Sequence, residues 1–315
     1  MLEDILQGDA QVDAAVQVIV ALDADVLLLT GVDFDMAAAA LMALADRLAA
    51  NGAGYPYRLA APPNAGMPTG FDLDRNGKLG EARDAMGYGR FHGQGGMALL
   101  SRLPLGDLVD HSGFPWADLP AADLPPDMTG LERLGLRLSS TGHWQVPVLM
   151  PEGGAITVLA WSATPPVFDG PEDRNGRRNH DETAFWLRLL DGALPAPAPE
   201  PPFILMGEAG LDPQDGEGRP GALRALLGDP RLQDPAPRGE HGRVEPTHKG
   251  DPALDTAFYP KGPGGLRVDY VLPSADLRVT EAGVLWPAAT DPLIAALQSA
   301  SRHYPVWVDI ALPAP

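Results

Sequence analysis

The sequence predicts an α/β chain with a two-layered β core and helices outside it, on three observations. Apolar runs of strand length recur along the 315 residues, most clearly at 25–30, 97–101, 155–163, 203–208 and 266–272. Most are bounded by Gly, Pro or Asp, as buried strands are. Other stretches carry apolar residues at helical spacing, among them Val12, Val16, Ile19 and Val20. Strands and helices interleave without the regular alternation of an open parallel sheet, which favours a packed β core.

Taken in order, residues 10–22 read as an amphipathic helix and Asp25-Val26-Leu27-Leu28-Leu29-Thr30 as a buried strand. An Ala/Leu-rich helix is expected over 36–50. The stretch 62–96 is loaded with Gly, Pro, Asp and Asn and reads as a long loop. A strand at 97–101 precedes a Pro- and Asp-rich loop at 110–130, and two strands follow at 145–150 and 155–163. Residues 164–180 form a third polar loop, ahead of a helix at 181–190 with Asp181 and Glu182 in its first turn. The proline-rich 195–202 reads as a polyproline-like connector. Strands resume directly after it, so it is expected to lie inside one domain spanning 1–315. Shorter helices are expected at 223–227 and 292–300.

Hydrophobic residues make up 45% of the chain, enough for a sizeable core. No apolar stretch reaches the roughly 18 residues of a membrane span. The first residues, with Glu3 and Asp4 and no basic start, do not read as a secretory signal, and cytoplasmic and exported locations both stay open. Zero cysteines exclude disulfides and thiolate metal sites, so a metal would sit on oxygen or imidazole. The 23 Lys and Arg against 42 Asp and Glu give a net charge of −19, which disfavours long nucleic acids as partners and also serves solubility.

Five segments together resemble one family. Gly207-Glu208-Ala209-Gly210-Leu211-Asp212-Pro213 looks like the Gly-Asp-x-Asn-x-x-Pro segment of the endonuclease/exonuclease/phosphatase superfamily. Val268-Asp269-Tyr270-Val271-Leu272-Pro273-Ser274 is similar to its Asp-Tyr-x-Leu-x-Ser strand, and Ser301-Arg302-His303 to its terminal Ser-Asp-His. Gly96-Met97-Ala98-Leu99-Leu100-Ser101-Arg102-Leu103-Pro104 resembles its Gly-x-Ala-x-Leu-Ser-Arg-x-Pro strand. Asp25-Val26-Leu27-Leu28-Leu29 sits where a family strand ends in Gln-Glu. The long loops resemble those of a bacterial subgroup. The resemblance implies a four-layer α-β-β-α sandwich of two packed mixed β-sheets and Mg²⁺- or Mn²⁺-assisted hydrolysis of a phosphoester, most simply a small one. It also implies a first strand ahead of the first helix. The nine residues before that helix hold no β-run, so either the chain starts late or the sheet lacks its N-terminal strand.

The resemblance assigns catalytic roles to His303 and to Asp269, the carboxylate that would orient it. Glu208 stands at the metal-binding aspartate, one methylene longer. Gly31 falls where a metal-binding glutamate is expected, leaving Asp33 or Asp35 to substitute or else to serve as turn and cap residues. Ser162 occupies the place of a histidine, Gly210 that of an asparagine, and Arg302 that of an aspartate; Arg302 could meet a phosphate directly. Arg178 and His180, in the loop after Ser162, are further phosphate candidates or surface ion-pair residues. With these changes, a divalent-metal phosphoester hydrolase and a catalytically impaired binding or scaffold module both follow from the sequence.

Separately, Asp72, Asp74 and Asn76 place oxygens at alternate positions ahead of Gly77, like the first half of a calcium loop. Position twelve is Arg83, with Glu81 and Asp84 nearby, so a Ca²⁺ site over 72–84 competes with a plain acidic turn.

Overall fold

The computed structural model describes residues 1–312. It opens with two helices, α1 (Leu2–Gln7) and α2 (Ala10–Leu22), the second capped by the Asp9 carboxylate on Gln11 N at 2.8 Å. Then come β1 (Val26–Val32), α3 (Ala39–Ala50), β2 (Tyr57–Ala60) and, after the long loop, β3 (Gly96–Ser101). β4 (Val109–Asp110), α4 (Gly130–Gly135), β5 (Gly142–Leu149) and β6 (Ala155–Ser162) lead to α5 (Arg174–Leu190) and β7 (Phe203–Glu208). The C-terminal part holds α6 (Gly221–Leu227), β8 (Ala257–Tyr259), β9 (Gly264–Leu266), β10 (Asp269–Pro273), β11 (Arg278–Val284), α7 (Ile294–Ala300) and β12 (Val306–Ala311).

Strand alternation sorts the apolar runs into layers. One antiparallel sheet has the order β1-β3-β2, and a mixed sheet runs β10-β7-β6-β5-β4, with β6 and β7 parallel. On the first sheet Leu27, Leu29, Ala98 and Leu100 pack against Ile5, Val16, Ile19, Leu41, Leu44 and Leu48 of the three N-terminal helices. Their neighbours Val26, Leu28, Met97 and Leu99 face the other way, onto Trp144, Val146, Val158, Ala160 and Met206 of the mixed sheet. The far face of that sheet, through Leu159, Trp161, Leu205, Tyr270 and Leu272, packs on Phe185, Trp186, Leu189, Leu223 and Leu226 of α5 and α6. The result is helices, sheet, sheet, helices: the four-layer sandwich. Each large apolar side chain sealed between layers contributes roughly 1.5–3 kcal/mol of transfer free energy.

β11 and β12 form a separate antiparallel pair beneath α7, tied to α2 through Val18. β1 and β12 each pair on one side only, so each carries an edge without a strand partner among the described residues.

Several boundaries differ from the sequence expectation for identifiable reasons. The helix expected from 36 starts at Ala39, because the Asp35 carboxylate accepts from the amides of Ala37, Ala39 and Ala40 at 3.1, 2.9 and 3.0 Å. Met36 is left 98% exposed. The helix expected from 181 starts seven residues earlier, at Arg174, so the polar loop closes at 173. The N-terminal half of α5 buries the polar Arg178, Asn179, Asp181 and Glu182, a burial that hydropathy does not register. The strands β2, β4, β8 and β11 lie in segments to which the sequence assigned no strand, and β9 ends where the expected 266–272 run begins.

Candidate active site

The rim between the two sheets is polar because four inward-facing apolar rows end on polar residues there. Along β1 the inward row runs Val26, Leu28, Thr30; along β6, Val158, Ala160, Ser162; along β7, Ile204, Met206, Glu208; along β10, Val271 then Asp269 at its start. Register sets the last three side by side: Ser162 pairs with Glu208, and Glu208 with Asp269. Gly207 permits the close approach. Its φ is 155°, and a Cβ there would lie 1.9 Å from the Trp161 carbonyl oxygen.

Glu208 Oε2 accepts from Ser162 Oγ at 3.4 Å, and the Thr30 hydroxyl also bonds the carboxylate. Burial and the neighbouring Asp269 charge push the Glu208 carboxyl up from its usual range, against the opposing pull of His303. Asp269 Oδ2 accepts from Thr256 Oγ1 at 2.8 Å and meets His303 Nδ1 at 2.9 Å. On its other side, His303 Nε2 lies 3.1 Å from the Tyr259 hydroxyl and 4.0 Å from Glu208 Oε1. Burial works to lower the His303 pKa, but Asp269 and Glu208 together outweigh it and raise it to about 9. The imidazole is therefore charged at neutral pH, with Asp269 fixing its orientation.

The rest of the expected set divides. Arg302 is exposed beside His303, where its charge opposes that of the imidazolium, and its carbonyl accepts from Phe258 N at 2.9 Å. Asp33 accepts from Gly95 N at 3.1 Å and lies 3.7 Å from the Met1 amine, while Asp35 caps α3. Gly31, at the place expected for a glutamate, forms a bulge between Thr30 and Val32 with φ 75°. Arg178 is not positioned for a phosphate: it is buried and donates to the carbonyls of Leu138 at 2.8 Å, Arg137 at 2.7 Å and Ser139 at 3.1 Å, and to Met86 O. His180 Nδ1 sits 3.0 Å from Asp181 Oδ1.

α5 thus supports the rim from behind. Asn179 Nδ2 donates to Thr164 O at 2.7 Å and Ala209 O at 2.6 Å, joining the segments that leave β6 and β7. Glu182 accepts from Ser140 N and Oγ and from Thr164 N. Sequence reasoning missed Thr30, Thr256 and Tyr259. A short apolar run, Ala257-Phe258-Tyr259, was the only available signal for the last two.

Two places offer oxygen donors to a cation. Glu208 with the Thr30 and Ser162 hydroxyls is an all-oxygen set carrying one under-compensated carboxylate, which fits a Mg²⁺ or Mn²⁺ ion that keeps waters and takes substrate oxygens. In the long loop, ligand atoms of Asp72, Asp74 and Asp84 lie within 4.8 Å of one another. Beside them Asn76 Nδ2 donates to Asp74 Oδ2 at 3.0 Å and Glu81 Oε2 at 2.6 Å, and its Oδ1 accepts from Lys78 N at 2.8 Å.

Among solved structures, an endonuclease/exonuclease/phosphatase from Beutenbergia cavernae DSM 12333 superposes with TM-score 0.57 at 20% identity, covering 96% of this chain and 66% of that one. An endonuclease/exonuclease/phosphatase family protein from Leptotrichia buccalis C-1013-b gives 0.53 at 16% identity, over 96% and 93%. A 3'-5' exonuclease from Neisseria meningitidis gives 0.52 at 17%, over 96% of both. These likenesses concern the fold. No curated protein matches the chain. The family model for the endonuclease/exonuclease/phosphatase family matches residues 2–303, nearly the full length. With that match and the sandwich whose strand ends carry Glu208, Asp269 and His303, the chain belongs to the endonuclease/exonuclease/phosphatase family.

Proposed function

We propose that the rim is the active site of a divalent-metal-dependent phosphoester hydrolase acting on a small phosphoester. The observation that carries this reading is the charged His303 held by Asp269 beside the Glu208 carboxylate. Glu208, Thr30 and Ser162 would hold Mg²⁺ or Mn²⁺, which when bound neutralises non-bridging phosphoryl oxygens. The imidazolium of His303 offers positive charge to those oxygens as water adds to phosphorus and the ester P–O bond breaks. Asp269 keeps that charge in place, and Arg302 at the exposed rim adds a second cation for an anionic substrate. The net charge of −19 favours a small substrate over a long polyanion.

A second reading, a binding or scaffold module of the same fold, draws on one observation. Among the described residues, the three-residue acidic group whose ligand atoms converge is Asp72, Asp74 and Asp84, and Glu208 is not in it. That group is a proposed Ca²⁺ site in its own right. Calorimetric titration with MnCl₂ separates the readings. The hydrolase predicts binding that disappears in Glu208→Ala, with metal-dependent hydrolysis of bis-p-nitrophenyl phosphate. Absent turnover and unchanged binding in that variant would leave the module.

A further inference from the structure

We propose that Thr256 is a positioning residue of this site, whose hydroxyl holds the Asp269 carboxylate against the His303 imidazole. This rests on the hydrolase reading above and adds a residue that acts through Asp269 without touching substrate.

The direction of every hydrogen bond at this hydroxyl is fixed by its partners. Thr256 Oγ1 accepts from the amides of Val268 and Asp269, both at 3.0 Å, which takes up its two lone pairs. Its one proton is left for Asp269 Oδ2, at 2.8 Å. The same oxygen meets His303 Nδ1 at 2.9 Å. Glu208 supplies the need for an anchor. It stands opposite Asp269 across the β7–β10 ladder, and the two carboxylates repel each other. Two donors on one oxygen hold Asp269 in place against that repulsion.

Thr256 is itself locked. It is fully buried, its amide donates to Leu266 O at 2.9 Å, and its carbonyl accepts from Tyr304 N at 2.7 Å. Tyr304 follows His303 in sequence, and Ala257, which follows Thr256, bridges to His303. The hydroxyl is therefore tied by backbone to both members of the Asp269–His303 pair. An orientation built into such a frame needs no ordering when substrate arrives.

The test compares wild type with Thr256→Ser, which keeps the hydroxyl, Thr256→Cys, which leaves a weak donor, and Thr256→Val, which leaves none. Hydrolysis of bis-p-nitrophenyl phosphate with Mn²⁺ gives kcat and KM. Proton NMR follows the deshielded His303 Nδ1–H resonance, assigned by its loss in His303→Ala. Both are read well below each variant's thermal midpoint, because Thr256→Val also leaves two buried amides unpaired. The proposal expects kcat lower by on the order of 10-fold or more in Thr256→Val, at little-changed KM, with recovery in Thr256→Ser and an intermediate value in Thr256→Cys. The resonance should broaden or move upfield in the same order. Should Thr256→Val not fold, Thr256→Cys against Thr256→Ser carries the comparison. A threonine that only supports the fold would lower the thermal midpoint and leave kcat and the resonance of the folded variants at wild-type values, which would overturn the proposal and leave the hydrolase reading intact. A wild type without turnover removes the hydrolase reading; the resonance then decides by itself, and its persistence in Thr256→Val or Thr256→Cys would overturn the positioning role.

Discussion

Glu208 and Asp269 face each other at one end of the β7–β10 ladder, so two carboxylates from distant segments stand beside a single imidazole, that of His303. Two negative groups around one partly buried ring explain why its pKa rises to about 9 although burial alone would lower it.

In the metal-free protein, NMR titration should find the His303 midpoint near 9. Asp269→Asn removes the larger attraction, and the midpoint should fall toward the ordinary histidine value. The sign for stability follows. A histidine raised in the fold stabilises it fully below its ordinary pKa of about 6.5, and that contribution fades as pH rises through about 9. The thermal-midpoint gap between wild type and Asp269→Asn should therefore narrow over that window. A gap constant in pH would contradict this.

Arg178 should behave as a structural residue. Its guanidinium joins α5 to four carbonyls of two loops, and Arg178→Ala leaves those acceptors and the buried Glu182 charge without it. A loss of about 3–5 kcal/mol is expected in denaturant unfolding, with KM for the phosphoester unchanged in whatever fraction stays folded. A raised KM at unaltered stability would return Arg178 to the phosphate.

His143 sets an acid limit. It is fully buried between Ser139 Oγ at 2.9 Å and Glu182 O at 2.9 Å, and burial depresses its pKa to about 3. Neutral in the fold, it takes up a proton on unfolding below about pH 6.5, so stability should fall with acidification from there toward 3. One such proton contributes a slope of about 1.4 kcal/mol per pH unit. Urea midpoints measured between pH 6.5 and 4.5 check it, with a His143→Gln variant expected to show a shallower slope.

Gly207→Ala tests the rim's construction. The new methyl would overlap the Trp161 carbonyl across the β6–β7 ladder, in a backbone conformation that disfavours side chains. We expect at least about 1–3 kcal/mol of destabilisation, and loss of metal binding at Glu208, its sequence neighbour. Wild-type stability would mean that the ladder relaxes freely.

The sequence made the rim legible where physics left a local mark. The apolar runs before Thr30, Ser162 and Glu208 are strands because they alternate between two buried faces, and Asp269 and His303 stood at recognisable ends. The start of α5 was not legible, because Arg178, Asn179 and Glu182 bury by satisfying backbone groups in distant loops, and no hydropathy window registers a hydrogen bond. β11 was hidden by the charges in Arg278-Val279-Thr280-Glu281, which face outward on a strand covered on one side. Tyr259 was invisible for another reason: its place at the rim exists only through its distance to His303, 44 positions away.

The central claim is that the strand ends around His303 hydrolyse phosphoesters with a cation at Glu208. The most direct measurement is steady-state hydrolysis of bis-p-nitrophenyl phosphate by wild type, His303→Ala and Glu208→Gln in the presence and absence of Mg²⁺ or Mn²⁺. The account predicts turnover that requires the metal and drops on the order of 100-fold or more in each variant. Wild-type protein that binds the metal yet shows no turnover on this or any other phosphoester, or variants as active as wild type, would contradict it.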